Sequence, residues 1–209
     1  MSALNQLGIT VGTNNKAEAV FNSLFPDFFK VEYTKPSQYV SLYWEAFQKQ
    51  GEGNNNLNGK IFEYILATLC IREKISPFYL SAKVAFVPNV IYDLMFYTAA
   101  RGPICISAKT SLRERYKQAD LEAFALKNVH RKALSYLVTL DEGEAKGVKA
   151  KIESGDVIGL DNVFVATNSE FDDFISELKS YQFSEPEKVK VIESNQIVRD
   201  STVKPLGLF

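Results

Sequence analysis

The fold turns on the stretch Ile104-Cys105-Ile106-Ser107-Ala108-Lys109-Thr110-Ser111-Leu112-Arg113-Glu114-Arg115-Tyr116-Lys117-Gln118-Ala119-Asp120-Leu121-Glu122. Its first half is a short apolar run ending on a lysine, the pattern of a buried strand. Its second half places Leu112, Tyr116 and Ala119, then Ala123 and Leu126, at the spacing of one helix face. Ser111 stands at the junction, where a hydroxyl can cap the new helix. The segment thus delivers a strand-borne lysine, two arginines around a glutamate at a helix start, and a carboxylate further along that helix.

Upstream, three strand-like stretches are expected at Ala82 to Val87, Val90 to Thr98 and Pro103 to Lys109, with turns at Pro88-Asn89 and Ala100-Arg101-Gly102. Asp93 lies between bulky apolar neighbours in the middle stretch, where a charge is costly unless something pairs with it. A hairpin about Ala100 to Gly102 would set Asp93 and Lys109 at similar distances from the turn and side by side. A structural ion pair is one meaning of that juxtaposition. Glu122 adds another. The extended chain from Ser107 to Leu112 covers about 16 Å, and a helix from Leu112 to Glu122 returns about 15 Å. A helix doubling back on the sheet would bring Glu122 level with Ser107, close to Asp93 and Lys109. Two carboxylates can hold Mg²⁺ through oxygens, and the ion and the lysine together can polarise a phosphate and activate water.

The remaining elements frame this unit. Asn14-Asn15 can cap a helix over Lys16 to Phe25, stopped by Pro26, and Pro36-Ser37 opens a second with Tyr39, Leu42, Tyr43, Ala46 and Phe47 on one face. Gly51 to Gly59, with Asn54 to Asn58 inside it, reads as a flexible polar loop. A third helix is expected from Lys60 to Lys74. After the helix from Leu112 to Lys127 come a strand at Ser135 to Leu140, a charged helix at Glu142 to Glu153, a strand at Asp161 to Thr167 and a helix at Glu170 to Tyr181. The order implies an α/β protein with a mixed central sheet of about five strands flanked by helices. The expected organisation is a single domain: helical residues 1–53 packed on a core of 54–185, then a polar tail at 186–209.

The 209 residues suffice for one sizeable core, and 46% hydrophobic with 23% charged residues is ordinary for a soluble globular protein. The formal net charge of −1 means that nucleic-acid binding would need a local basic surface. Cys70 and Cys105 lie in apolar runs without a metal-type cluster, so buried free thiols in a reducing cytoplasm are expected. Met1 to Gly12 lacks the pattern of a signal peptide, and no apolar run approaches the roughly 20 residues of a membrane span. His130, the only histidine, has no partners for a metal site and reads as structural.

Asp93 followed after a turn by Ser107-Ala108-Lys109 resembles the PD-(D/E)XK nuclease core, an aspartate and then an acid-x-lysine. The chain departs from that form at Asn89, which follows Pro88 where the motif has its aspartate and leaves Asp93 as the candidate, and at Ser107, which replaces the second acid. A similar replacement marks the CCGG subgroup of type II restriction endonucleases, which includes EcoRII, PspGI and NgoMIV and whose second acid has migrated to the following helix. Glu122 stands thirteen positions after Lys109, similar to the spacing in EcoRII-like members. The resemblance implies a restriction-endonuclease-like fold, with Asp93 and Glu122 as Mg²⁺ ligands and Lys109 as the catalytic lysine. It also implies a homodimer acting on double-stranded DNA. Glu63, on the helix before the sheet, corresponds to a helix glutamate that reaches the metal region in many nucleases of this fold; an exposed helix glutamate is the alternative.

Arginine can bind guanine O6 and N7 in a bidentate manner, and glutamate can accept from cytosine N4. Arg113, Glu114 and Arg115 therefore suit two adjacent G·C pairs, and the resembling enzymes read a CC/GG core with such a cluster. A solvated charge run is the alternative, although arginines at a helix N-terminus oppose its dipole. Ser107, Lys117 and Gln118 are possible further DNA contacts, and Asp120 is a second choice of acid after Glu122. Two other readings stay open: a repair, recombination or nicking nuclease on the same core, and a DNA-binding protein without chemistry.

Overall fold

A computed structural model of the chain describes residues 2–12, 15–51 and 53–186. Asn14, Glu52 and 187–209 of the expected tail lie outside the described residues. Four helices precede the sheet: α1 (Ala3–Gln6), α2 (Lys16–Leu24), α3 (Pro36–Gln50) and α4 (Asn55–Arg72), with a 3₁₀ turn at Phe28–Lys30. Then follow β1 (Tyr79–Ala82), β2 (Tyr92–Thr98), β3 (Gly102–Lys109), α5 (Arg115–Val129), β4 (Leu134–Thr139), α6 (Glu142–Ser154), β5 (Asn162–Val165) and α7 (Ser169–Ser180). The strands form one sheet in the order β1-β2-β3-β4-β5. β2 runs antiparallel to both β1 and β3, whereas β3, β4 and β5 are parallel. The mixed five-stranded sheet flanked by helices is the architecture the residue pattern implies.

Alternation along the strands sends successive side chains to opposite faces. Leu94, Phe96, Ile104, Ile106 and Ala108 join the larger core with α2, α3, α4 and α7. Cys105 and Met95 face the other way, toward a smaller cluster that includes Leu126 of α5, and Leu137 and Val163 pack against α5 and α6. α4 is buried on nearly every side, including Ile61, Phe62, Ile65, Leu66 and Leu69. That accounts for its weak amphipathicity: a helix clad by other helices and by the sheet has no broad solvent face. Burial pushes the thiol of Cys70 up to about 12 and raises that of Cys105 as well, so neither free cysteine is a ready nucleophile.

Three boundaries differ from the sequence expectation. The first strand is Tyr79–Ala82, not Ala82 to Val87, whose residues turn toward β2. Only Tyr79, Leu80 and Ala82 find partners, against Met95, Leu94 and Tyr92. The Gly51 to Gly59 loop is shorter than expected, because Asn54 accepts a hydrogen bond from the Leu57 amide and starts α4 at Asn55. Composition had marked those asparagines as loop; one of them is a cap.

The third difference is the start of α5. Ser111 does not cap it, and the helix begins at Arg115 rather than Leu112. The amides of Leu112 and Arg113 donate to the Glu144 carboxylate, at 2.6 and 2.8 Å. Glu144 occupies the acid position of a D-x-x-E capping pattern in α6, and its own amide donates to Asp141. Its carboxylate does not fold back on its own helix; it reaches across to hold the β3–α5 turn. Arg113 is kept there at φ 38°, in the left-handed region that residues other than glycine rarely occupy.

Hydrogen bonds to a charged acceptor contribute about 1.5–3 kcal/mol each. Only the Leu112 amide is covered, and the exposed Arg113 amide can turn to water, so Glu144→Ala should cost about 2 kcal/mol. At about 2–4 °C per kcal/mol for a chain of this size, that lowers the melting temperature by about 4–8 °C. Differential scanning calorimetry measures this, and a change under 1 °C would show that the turn holds without Glu144.

Candidate active site

The β2–β3 hairpin supplies the centre of the site. Thr98 pairs with Gly102, Met95 with Cys105 and Leu94 with Ile106. Gly102, at φ 84°, makes the tight return possible. One step beyond Leu94 and Ile106, the register brings Asp93 opposite Ser107 and puts its carboxylate within reach of Lys109. Asp93 Oδ2 accepts from the Lys109 ammonium at 2.8 Å and from the Ala108 amide at 2.8 Å. The two side chains are 19% and 20% exposed, shielded enough for strong electrostatics yet open to a substrate.

Glu63 approaches from α4. Its carboxylate takes a hydrogen bond from Lys60 at 2.6 Å, and it lies within electrostatic reach of both Asp93 and Lys109. Burial raises the carboxyl of Glu63 above the ordinary glutamate value; Lys60 pulls it down, and the Asp93 charge pushes it up again. Lys60 was not singled out by sequence reasoning. Its i,i+3 spacing to Glu63 was the available signal. Burial works against its charge, but the Glu63 hydrogen bond and charge outweigh that and raise its pKa.

Glu122 sits on the third turn of α5, and the helix does double back along the sheet. The Tyr92 hydroxyl donates to the Glu122 carbonyl at 3.1 Å, which ties that turn to the residue preceding Asp93. The Glu122 carboxylate accepts from Gln118 Nε2 at 2.8 Å. Among the described residues no three acidic, histidine or cysteine side chains converge as a ready metal cage. Asp93, Lys109 and Glu63 form one electrostatic cluster, whereas the contacts of Glu122 are its carbonyl to Tyr92 and its carboxylate to Gln118. Asp120, the second-choice acid, is committed elsewhere. Its Oδ1 accepts from the amides of Gly159 and Leu160, at 2.6 and 3.2 Å. Gly159 passes so close that a Cβ there would meet the Asp120 carbonyl at 2.3 Å.

Arg113, Glu114 and Arg115 are all exposed, on the turn between the Lys109 end of β3 and the first residue of α5. Lys117 forms an ion pair with Glu114 and, through it, holds that carboxyl below its ordinary value. Gln118 is exposed and Ser107 partly buried. His130 ends α5, and its Nε2 is buried with no hydrogen-bond partner among the described residues. No described helix is long and apolar enough to cross a membrane.

No protein-family model matches the chain, and no curated protein matches it in sequence. Among solved structures it is similar to the restriction endonuclease PspGI in complex with its substrate DNA. That match has 20% identity and a TM-score of 0.50, and covers 88% of this chain and 80% of the other. The type IIP restriction endonuclease Kpn2I also matches, with 14% identity and a TM-score of 0.48, over 78% of this chain and 72% of that one. At such identities the likeness speaks to architecture, and the PspGI match carries it. The chain has the fold of a type II restriction endonuclease.

Proposed function

We propose that this chain is a type II restriction endonuclease of the EcoRII-like CCGG subgroup. It hydrolyses phosphodiester bonds of double-stranded DNA at a short palindromic site with CC and GG halves, as a homodimer in the cytoplasm. The observation that carries the reading is the Asp93–Lys109 pair at the open end of the β2–β3 hairpin, with Glu63 crowding it from α4. The fold shared with PspGI, itself seen with substrate DNA, supports it.

The donor set suits a hard divalent cation. The Asp93 charge opposes the ionisation of Glu63, and carboxylate oxygens are the ligands Mg²⁺ prefers. Asp93 and Glu122 would hold the ion, with Glu63 beside them; when bound, it neutralises phosphate charge and makes water a better nucleophile. Asp93 orients Lys109 by its 2.8 Å hydrogen bond. The Lys109 ammonium then faces the scissile phosphate, where it stabilises developing negative charge and positions the attacking water. Arg113, Glu114 and Arg115 enter the major groove from the same β3–α5 turn, so reading and cutting are set by one rigid connection. Ser107, Lys117 and Gln118 supply neighbouring contacts. A palindromic site requires two such half-sites related by a two-fold axis.

Plasmid DNA digested with the protein and Mg²⁺ should give ends that map to one fixed motif. Lys109→Ala should slow that cleavage about 100- to 10,000-fold. Cutting at scattered positions, or a variant as fast as the parent, would count against the assignment.

Glu63 also makes stability depend on pH in a defined direction. At strongly acid pH it is neutral in both folded and unfolded chains. As pH rises, the unfolded chain releases the proton first, so stability declines across the window between the ordinary and the raised value and stays lower above it. Glu63→Gln should raise the metal-free melting temperature at pH 8 by about 2 °C, and the gain should vanish near pH 4. A constant difference across that range would contradict the charge crowding.

For base reading, Arg113→Ala should cost about 1–3 kcal/mol of discrimination at one G·C pair, measured as relative cleavage of sites altered at single positions. Unchanged preference would remove Arg113 from the reading head.

A further inference from the structure

Two lysines serve the acidic cluster, and they are held very differently. Lys109 rises from a strand, is 20% exposed and is committed to Asp93. Lys60 stands on α4, is 49% exposed, and binds Glu63, which is only 15% exposed. The Lys60 ammonium therefore lies between a mostly covered acid and open solvent, on a stem of four rotatable carbons. Asp93 lies within its electrostatic reach as well.

We propose that Lys60 is the resident counter-cation of this cluster: its ammonium neutralises Glu63 in the metal-free protein, gives way when a divalent cation binds, and is then free to take a DNA phosphate. The inference rests on reading the site as that of a metal-dependent nuclease. A divalent ion neutralises Glu63 and Asp93 more fully than one ammonium does, so Lys60 loses its electrostatic hold as the ion enters. The released ammonium is already at the mouth of the site, where a phosphate backbone offers the same charge-assisted hydrogen bond that Glu63 provided. Metal and DNA then reinforce each other, because each relieves a cost that Lys60 imposes on the other, and such coupling is reciprocal. Lys109 cannot play this part without releasing Asp93.

The test is calorimetric titration of the full-length metal-free protein with Mg²⁺, for the parent, Lys60→Ala and Lys60→Arg. Removing an exposed ion pair worth up to about 1 kcal/mol should tighten Mg²⁺ binding of Lys60→Ala by about 3- to 5-fold, while Lys60→Arg stays near the parent. In parallel, fluorescence anisotropy with a mixed-sequence DNA duplex compares affinity in Ca²⁺ and in EDTA. The gain on adding Ca²⁺ should be at least about 3-fold smaller in Lys60→Ala than in the parent. Unaltered circular dichroism without metal confirms that the variants fold. If Lys60→Ala binds Mg²⁺ as the parent does, or more weakly, the exchange is overturned and the metal site stands. If the parent itself binds no Mg²⁺, the metal-dependent reading and the exchange fall together.

Discussion

One hydrogen-bonded charge pair organises the open end of this sheet. Asp93 sits between the buried Tyr92 and Leu94 of β2, so its carboxylate must be satisfied within a few ångströms or protonate. The antiparallel register of β2 and β3 solves that by presenting both the Ala108 amide and the Lys109 ammonium to one oxygen. A shift of the hairpin by one residue would turn Asp93 into the core and separate it from Lys109. The apolar alternation of Leu94, Phe96, Ile104 and Ile106 against α4 prevents that shift. The hydrophobic pattern that builds the core thus also holds the polar pair together.

Carboxylates do two kinds of work around this pair. Asp120 and Glu144 each receive two backbone amides and anchor loops. Asp161 acts similarly, accepting the Ser135 amide and pairing with Lys127. Glu63 instead feels the charge of Asp93, and each of the two acids has a lysine as its counter-charge. The distinction is one of degree: an acid that receives two backbone amides stays put, whereas one held mainly by a side-chain ammonium, as Glu63 is by Lys60, can lose that partner. Acids of the second kind keep the capacity to exchange a lysine for another cation.

The hairpin turn, the pairing of Asp93 with Lys109, the returning helix and the α/β order were all legible, because each rests on periodicity or on separations of a few residues. The start of α5 was not, since Ser111 had the right chemistry to cap it but the Leu112 and Arg113 amides found Glu144 from another helix. The Asn54 to Asn58 run misled for the opposite reason: polar composition signals a loop and a helix cap equally well. Asp120 ranks second to Glu122 as a candidate acid, because two residues along a helix turn it to a different face. Only the approach of Gly159 to α5 shows that Asp120 is already occupied.

The sequence by itself determined the elements, the sheet faces and the proximity of Asp93 to Lys109, because these depend on local spacing and on the need to bury one apolar side. Tertiary structure alone decided that Glu63 shares the charge of Asp93 and that Glu144 holds Arg113 in a left-handed turn. Those contacts join residues roughly 30 positions apart. Their energies depend on distance and burial, and both are set only when the helices close on the sheet.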